Sequence, residues 1–409
     1  MGSVGTPEFW MRVARDLGDD LATDALDRDR AGKPPYDEVA RLRDSGLQAA
    51  LVPPGTAAGG TEAGMDWEDA CAIVRRIAAA DGSMGELLGR HHVLSWSARF
   101  FAAPDRVGEL EARAVRERWL WAGDTGATGA DGASRPRDDG ACLLLTRTAG
   151  GLRLNGVRTL PTAVDVADRL VLDAFCTGTG ESRVVLVDPH HPGVGRVPLS
   201  DRLGQRLAGA GTVRFDDVPI GVDDVLGTAA HDEYAVAPFA AVAPLALRLM
   251  LTHVVLGVAQ GALAEARDLS RVASHARPGG GGEGLLAPPP GADADLLLTV
   301  GELVLAVHSA SAVTGHATSA LAETLRAGRA PDAEQLADTA ALVAAAEAVT
   351  VKAALSIGER VLDITGAEGL DRFWRNIRVL ADRGPAGPAL RAIGDHFLHC
   401  DAATSARWT

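Results

Sequence analysis

The sequence predicts a mainly helical α+β protein in three consecutive parts: helices over residues 1–118, a small β-domain over 119–228 and a helical bundle over 229–409. Three observations predict it. Apolar residues recur at three-to-four spacing before Trp119 and again after Thr228, as helices that bury one face require. Between these segments the period falls to two, the signature of strands. Finally, 47% of the 409 residues are hydrophobic but only 4% are aromatic, and the excess of alanine, leucine and valine favours closely packed helices.

The first part reads as helices in "EFWMRVARDLGDDLATDAL", "YDEVARLRDSGLQAALV" and "WEDACAIVRRIAAADGSMGELLGRHHVLSWSARFF". Asp81 and Ser83 are capping residues for a helix that carries His91 and His92. In the second part "CLLLTRTAGGLRLNGVRTL" reads as strand, turn, strand, turn, strand. Ala149-Gly150-Gly151 makes one turn, and Asn155-Gly156 is expected to make a hairpin because both positions tolerate positive φ. "RLVLDAF", "SRVVLVD" and "GTVRFDDVPI" are further strands, the last with Val213 and Phe215 alternating with Arg214 and Asp216, as on a sheet wetted on one face. The third part holds two long helices, "PLALRLMLTHVVLGVAQGALAEARDLSRVAS" and "DAEQLADTAALVAAAEAVTVKAALSIGERVLDIT", with a Gly/Pro-rich loop over 277–293.

Composition excludes several function classes. A formal net charge of −14 argues against nucleic-acid and anionic-membrane partners, which need a concentrated positive field. Cys71, Cys142, Cys176 and Cys400 show no C-x-x-C spacing, so neither a metal site nor a disulfide framework is expected. The N-terminus lacks a signal-peptide core, and the most apolar stretch, 235–264, is interrupted by Pro238, Pro244, Arg248 and His253. A buried helix is therefore expected there, and a cytoplasmic protein overall.

Tests for chemistry eliminate more than they find. "GTGES" at 178–182 and "GDTGATGADGAS" at 123–134 are Gly-rich but lead into strands, so neither is a dinucleotide fingerprint. No P-loop, H-E-x-x-H zinc pattern or G-x-S-x-G elbow occurs. Adjacent residues on a helix point about 100° apart, so only one of His91 and His92 can face a cleft. In "GLDRFWRNIRVLADRGP", 369–385, the arginines are equally readable as a surface patch or as a grip on an anionic cofactor.

Taken in order, "IAAADGSMGELLGRHH", "LRLNGVRTLPTAVDVADRLVL", "GQRLAGAGTVRFDDVPIGVDDVLG", "ASHARP" and "GLDRFWRNIR" resemble the acyl-CoA dehydrogenase superfamily, and within it the flavin-dependent monooxygenases typified by dibenzothiophene monooxygenase. The resemblance runs from about Phe9 to Leu398. It implies an N-terminal helical domain, a middle β-barrel or sandwich domain and a C-terminal four-helix bundle, assembled as a homotetramer or homodimer. It also implies FMN, with FAD as the alternative, reduced by a separate flavin reductase before it reacts with O₂ to oxygenate a small molecule. Carried over residue by residue, His91 stands beside the flavin ring, Thr162 supplies a hydroxyl near it, and Asp124 replaces a frequent asparagine. Arg277 and Arg375 correspond to cofactor-side arginines.

The departures matter as much. Where the monooxygenases carry an "H-x-x-H-[DN]-P" segment, this chain has Leu380 and Arg383 at the histidine positions and keeps Pro385. Where dehydrogenases carry a glutamate base it has Gly384, with Asp382 as a nearby carboxylate. Arg383 reads either as a fixed cation stabilising developing negative charge or as a solvated loop residue. Three functions remain open: an oxygenase using His91, Thr162, Asp124 and Arg383; a flavin dehydrogenase with Asp382 or Asp124 as base; and a flavin-free descendant that uses the cavity for binding or non-redox chemistry.

Overall fold

The computed structural model describes residues 6–51, 65–125, 143–228, 238–275, 294–328, 332–365, 369–382 and 386–399. The N-terminal helices are α1 (Pro7–Thr23), α2 (Ala25–Ala31), α3 (Tyr36–Ser45), α4 (Trp67–Ala80), α5 (Gly82–Ser95), α6 (Ser97–Phe101) and α7 (Pro104–Arg116). Their starts are set by local chemistry. Thr6 caps α1 by accepting from the Phe9 N–H, with Pro7 in the first turn, and Asp66 caps α4 by accepting from the Asp69 N–H. Asp81 closes α4 and caps α5, its Oδ1 accepting from the Ser83 and Met84 N–H groups at 3.0 and 3.1 Å. Ser83 is not a second cap: its hydroxyl accepts from the Leu207 N–H at 3.3 Å and ties α5 to the β-domain.

The β-domain comprises β1 (Trp121–Asp124), β2 (Leu144–Thr148), β3 (Gly151–Leu160), β4 (Arg169–Cys176), β5 (Ser182–Val187), β6 (Val194–Pro198), β7 (Gly211–Ile220) and β8 (Val225–Thr228). They form one mixed sheet in the order β6-β7-β3-β2-β4-β5-β8. β1 and β2 share an edge of β4, β1 running parallel beside Arg169–Leu172 and β2 beside Phe175–Cys176. β7 alternates as expected, with Val213 and Phe215 buried and Arg214 and Asp216 exposed.

The Asn155-Gly156 expectation is corrected. These residues lie inside β3, where the register with β7 shifts between Leu154 and Gly156. Gly156 has φ 129°, open to glycine but strained for other residues. The Asn155 Oδ1 accepts from the Asp217 N–H at 2.8 Å, so the dipeptide makes a β-bulge, held across the ladder.

The C-terminal helices are α8 (Val242–His275), α9 (Ala294–Arg326), α10 (Ala333–Thr365), α11 (Asp371–Ala381) and α12 (Ala386–His399). α10 packs on α8, α9, α11 and α12, and α8 also lies along α4 and α5. One apolar core therefore runs from the N-terminal helices through the inner face of the sheet into the bundle. Buried polar pairs set the helix registers: His253 with Thr318 at 2.8 Å, Thr314 with Thr350 at 3.1 Å and Thr324 with Thr339 at 2.9 Å. α8, α9 and α10 are long and apolar enough to span a bilayer by length and composition. In α8 78% of that apolar window is buried inside the molecule, as expected for the 235–264 stretch, whereas in α9 only 11% is.

Candidate active site

β1 is the centre of the candidate site. Its first residue is fixed by α5: His91 Nδ1 accepts from the Trp121 N–H at 3.0 Å, while Nε2 donates to the Gln48 carbonyl at 2.7 Å. Both contacts fit a single neutral tautomer. Burial pushes the His91 pKa down to about 4 against the pull of the Gln48 hydrogen bond. A ring with both nitrogens given to backbone has no free proton to offer a reaction face, so the expectation of a reactive His91 meets a strut between α5, β1 and the turn after α3. His92 is also buried, and both of its nitrogens lack a hydrogen-bond partner. Burial holds it well below the usual histidine range.

At the other end of β1, Asp124 does not stand as an isolated anion. Arg158, on β3, places Nη1 3.7 Å from Asp124 Oδ2 and donates from Nη2 to Asp173 Oδ1, on β4, at 3.0 Å. One guanidinium therefore lies between two carboxylates. Arg158 Nε is buried without a hydrogen-bond partner. Burial raises the Asp173 pKa from its ordinary value, against Arg158, which favours the charged form. Neither Arg158 nor Asp173 stood out in the sequence, although a lone aspartate in the apolar strand "RLVLDAF" was the available signal, because a buried carboxylate needs a partner.

Thr162 lies just past β3 and is 1% exposed. Its turn is clamped from the 199–210 segment: the Ala163 and Val164 N–H groups donate to the carbonyls of Ala208 and Gly209 at 2.8 Å each. That segment is in turn seated on α11. The Gln205 N–H donates to Asn376 Oδ1 at 2.6 Å. Gly204 packs so closely that a Cβ there would lie 2.3 Å from the Arg375 carbonyl oxygen.

The structure gives Arg375 three partners within the chain. Its Nη2 donates to Asp29 at 2.6 Å, its Nε to Asp371 at 3.0 Å and its Nη1 to the Leu203 carbonyl at 3.0 Å. It binds α2, α11 and the 199–210 segment together, and its charge is committed within the chain. Arg372 is similarly committed to Glu265 of α8. Leu380, at the first lost histidine position, is a buried core residue of α11, and Asp382 is exposed at the end of that helix. Arg277, Arg383 and Gly384 lie outside the described residues. His91 and Asp124 are thus brought to the two ends of β1, whereas Thr162 sits in the turn after β3 held by the 199–210 segment and Arg375 sits on a different junction.

The polar groups at the end of β1 fit the ring of a flavin: a carboxylate and a partly unsatisfied guanidinium among buried apolar strands. Among the described residues no group of three or more His, Cys, Asp or Glu side chains could hold a metal.

No protein-family model matches the chain. Individual proteins do, over nearly its full length. Dibenzothiophene monooxygenase of Rhodococcus qingshengii is 29% identical, with 95% of this chain and 92% of the relative covered. The probable FMNH2-dependent monooxygenase SfnC of Pseudomonas putida is 26% identical, with 96% and 95% covered. Among solved structures, FMN-bound dibenzothiophene monooxygenase TdsC from Paenibacillus sp. A11-2 superposes with a TM-score of 0.83 at 27% identity, covering 95% of this chain and 97% of that one. Butyryl-CoA dehydrogenase from Megasphaera elsdenii shares the fold, with a TM-score of 0.76 at 18% identity over 98% and 100% of the two chains. The helical, β and bundle order and these likenesses give the chain the acyl-CoA dehydrogenase fold. Among proteins of that fold it is similar, over nearly its full length, to flavin-dependent monooxygenases of the dibenzothiophene monooxygenase type.

Proposed function

We propose that this chain is the oxygenase of a two-component flavin monooxygenase, taking reduced FMN from a separate reductase and placing one atom of O₂ on a specialised small molecule. The carrying observation is near full-length likeness to FMNH2-dependent and dibenzothiophene monooxygenases, supported by the position of His91 and Asp124 at the two ends of β1. Bound reduced flavin supplies the electrons and the oxygen activation. The chain's own part is to bind, orient and keep water out. Thr162 offers a hydroxyl to the ring, and Asp124 with Arg158 sets the local charge. His91 holds β1 in place as a neutral strut. Arg277 and Arg383 remain candidates for the phosphate and for a fixed cation at the reacting edge. Arg375 ties α2, α11 and the 199–210 segment together.

The dehydrogenase alternative needs a free carboxylate base. Asp124 is beside Arg158 and Asp382 is exposed at a helix end, which disfavours it. The exposed apolar residues of α9, among them Leu297, Leu298 and Leu305 at 56, 65 and 66% exposure, support self-association of bundles as a homotetramer or homodimer. A cytoplasmic location goes with this reading. The test is product mass after reaction with ¹⁸O₂, reduced FMN and a panel of organosulfur and amine substrates: a gain of one labelled oxygen supports the oxygenase, and loss of two hydrogens supports the dehydrogenase.

A further inference from the structure

A narrow crevice opens where α5, α7, the start of β1 and the turn after α3 meet. Its volume is about 30 Å³, more than the about 10–15 Å³ that one water needs. Trp96, Trp119 and Trp121 supply walls, and Arg118 is the exposed residue on its rim. Several polar groups on the lining are already committed. The His91 nitrogens serve the Gln48 carbonyl and the Trp121 N–H. Trp96 Nε1 donates to the Leu51 carbonyl at 3.2 Å, Trp119 Nε1 donates to Glu117 at 2.8 Å, and the Glu111 carboxylate accepts from Arg99 at 2.8 Å. The Gln48 side chain differs. Gln48 is 4% exposed and lines the crevice, yet its Nε2 and Oε1 both lack a hydrogen-bond partner. An amide buried without partners is destabilising, and an apolar side chain of that size would fill the same place without the penalty.

We propose that this crevice is a binding site for a small planar molecule ending in a lactam or primary carboxamide, held by paired hydrogen bonds to the Gln48 side chain. A carboxamide presents a donor and an acceptor side by side. A lactam or primary amide presents the complementary pair, so one ligand group satisfies both Gln48 atoms. A carboxylate meets Nε2 but sets its charge against Oε1, and a ketone leaves Oε1 unpaired. The indole rings suit the flat, apolar remainder of such a ligand. The amide also projects from a fixed residue, because the Gln48 carbonyl accepts from His91 at 2.7 Å. This site goes beyond the oxygenase reading: it needs neither flavin nor O₂, and it stands on the crevice and its unpaired amide.

The experiment is calorimetric titration of the full-length protein with 2-pyrrolidone and with cyclopentanone, a ring of the same size that lacks the N–H. Tryptophan fluorescence is the second readout. 2-Pyrrolidone should bind about tenfold more tightly, the effect of leaving one buried acceptor unpaired in the cyclopentanone complex. Q48L removes both polar atoms at nearly constant size, and it should bring the two dissociation constants within about twofold of each other. Its urea midpoint should lie at or above the native one, because the side chain it replaces has no partner to lose. Equal binding of the two probes by the native protein overturns the inference, as does a preference for 2-pyrrolidone that survives in Q48L. Absence of 2-pyrrolidone binding, with ordered water alone on the Gln48 amide in a crystal structure, overturns it as well. Should Q48L fail to fold, Q48M carries the same comparison, and the native preference decides by itself. Failure of the protein to bind FMN is a different result: it removes the flavin reading and leaves this preference unchanged.

Discussion

Replacing His91 by Ala separates a strut from a reactive acid. The substitution removes two hydrogen bonds, 2.7 Å to the Gln48 carbonyl and 3.0 Å from the Trp121 N–H, in a region where His91 itself is 1% exposed. Each buried backbone group left unpaired costs about 1–3 kcal/mol, so H91A should be destabilised by about 2–6 kcal/mol near pH 7. The pH dependence makes the prediction sharper. In the folded protein burial holds the pKa at about 4, while the unfolded chain titrates at about 6.5. Between these values the unfolded state binds more protons, so this histidine's contribution favours folding above the window and is lost as pH falls through it. Going from pH 7 to pH 5 the native protein should lose about 2 kcal/mol through His91 alone. H91A has no such group, so its deficit relative to native should shrink by that amount. Urea unfolding at the two pH values measures both stabilities. A deficit that stays constant or widens on acidification would refute the neutral-strut assignment, as would an H91A protein as stable as native.

Three further outcomes follow from the same packing. G204A should lower the melting temperature and loosen the Thr162 turn, because the new Cβ meets the Arg375 carbonyl at 2.3 Å and overpacking of this kind costs about 1–3 kcal/mol; differential scanning calorimetry and amide exchange at Ala163 check it. D29N should destabilise the protein by about 2–3 kcal/mol in urea unfolding, less than a full buried-pair loss, because Arg375 keeps Asp371 and the Leu203 carbonyl. L298K combined with L305K, both on the exposed apolar side of α9, should shift the protein towards monomer in sedimentation velocity while leaving its circular dichroism unchanged.

The three-part plan was legible because periodicity reports burial directly, and the long bundle helices and the alternation of β7 follow from it. Asp81 as a cap was legible for the same local reason. Asn155-Gly156 misled because positive φ is needed equally by a tight turn and by a bulge, and only the pairing partner, β7, decides between them. His91 was legible as a buried helix histidine, but its spacing on α5 cannot reveal that Gln48 and Trp121, 43 and 30 residues away, take both nitrogens. Arg375 was read as cofactor-facing, and its commitment to Asp29 is a contact across 346 residues that no local pattern encodes. The Arg158–Asp173 pair went unread because strands beside one another in space are separated in sequence. Its trace, one carboxylate in an apolar strand, looks like noise until the facing cation is seen.

The central claim is that β1 and its surroundings form a working flavin site. Anaerobic titration of the purified protein with reduced FMN, monitored by flavin absorbance and calorimetry, tests it most directly. Saturable binding at one site per chain, tighter for reduced than for oxidised FMN and weakened by T162V, is the predicted result. Protein that takes up neither form of the flavin, under conditions where it is folded and assembled, would contradict the account and return the cavity to binding or non-redox chemistry.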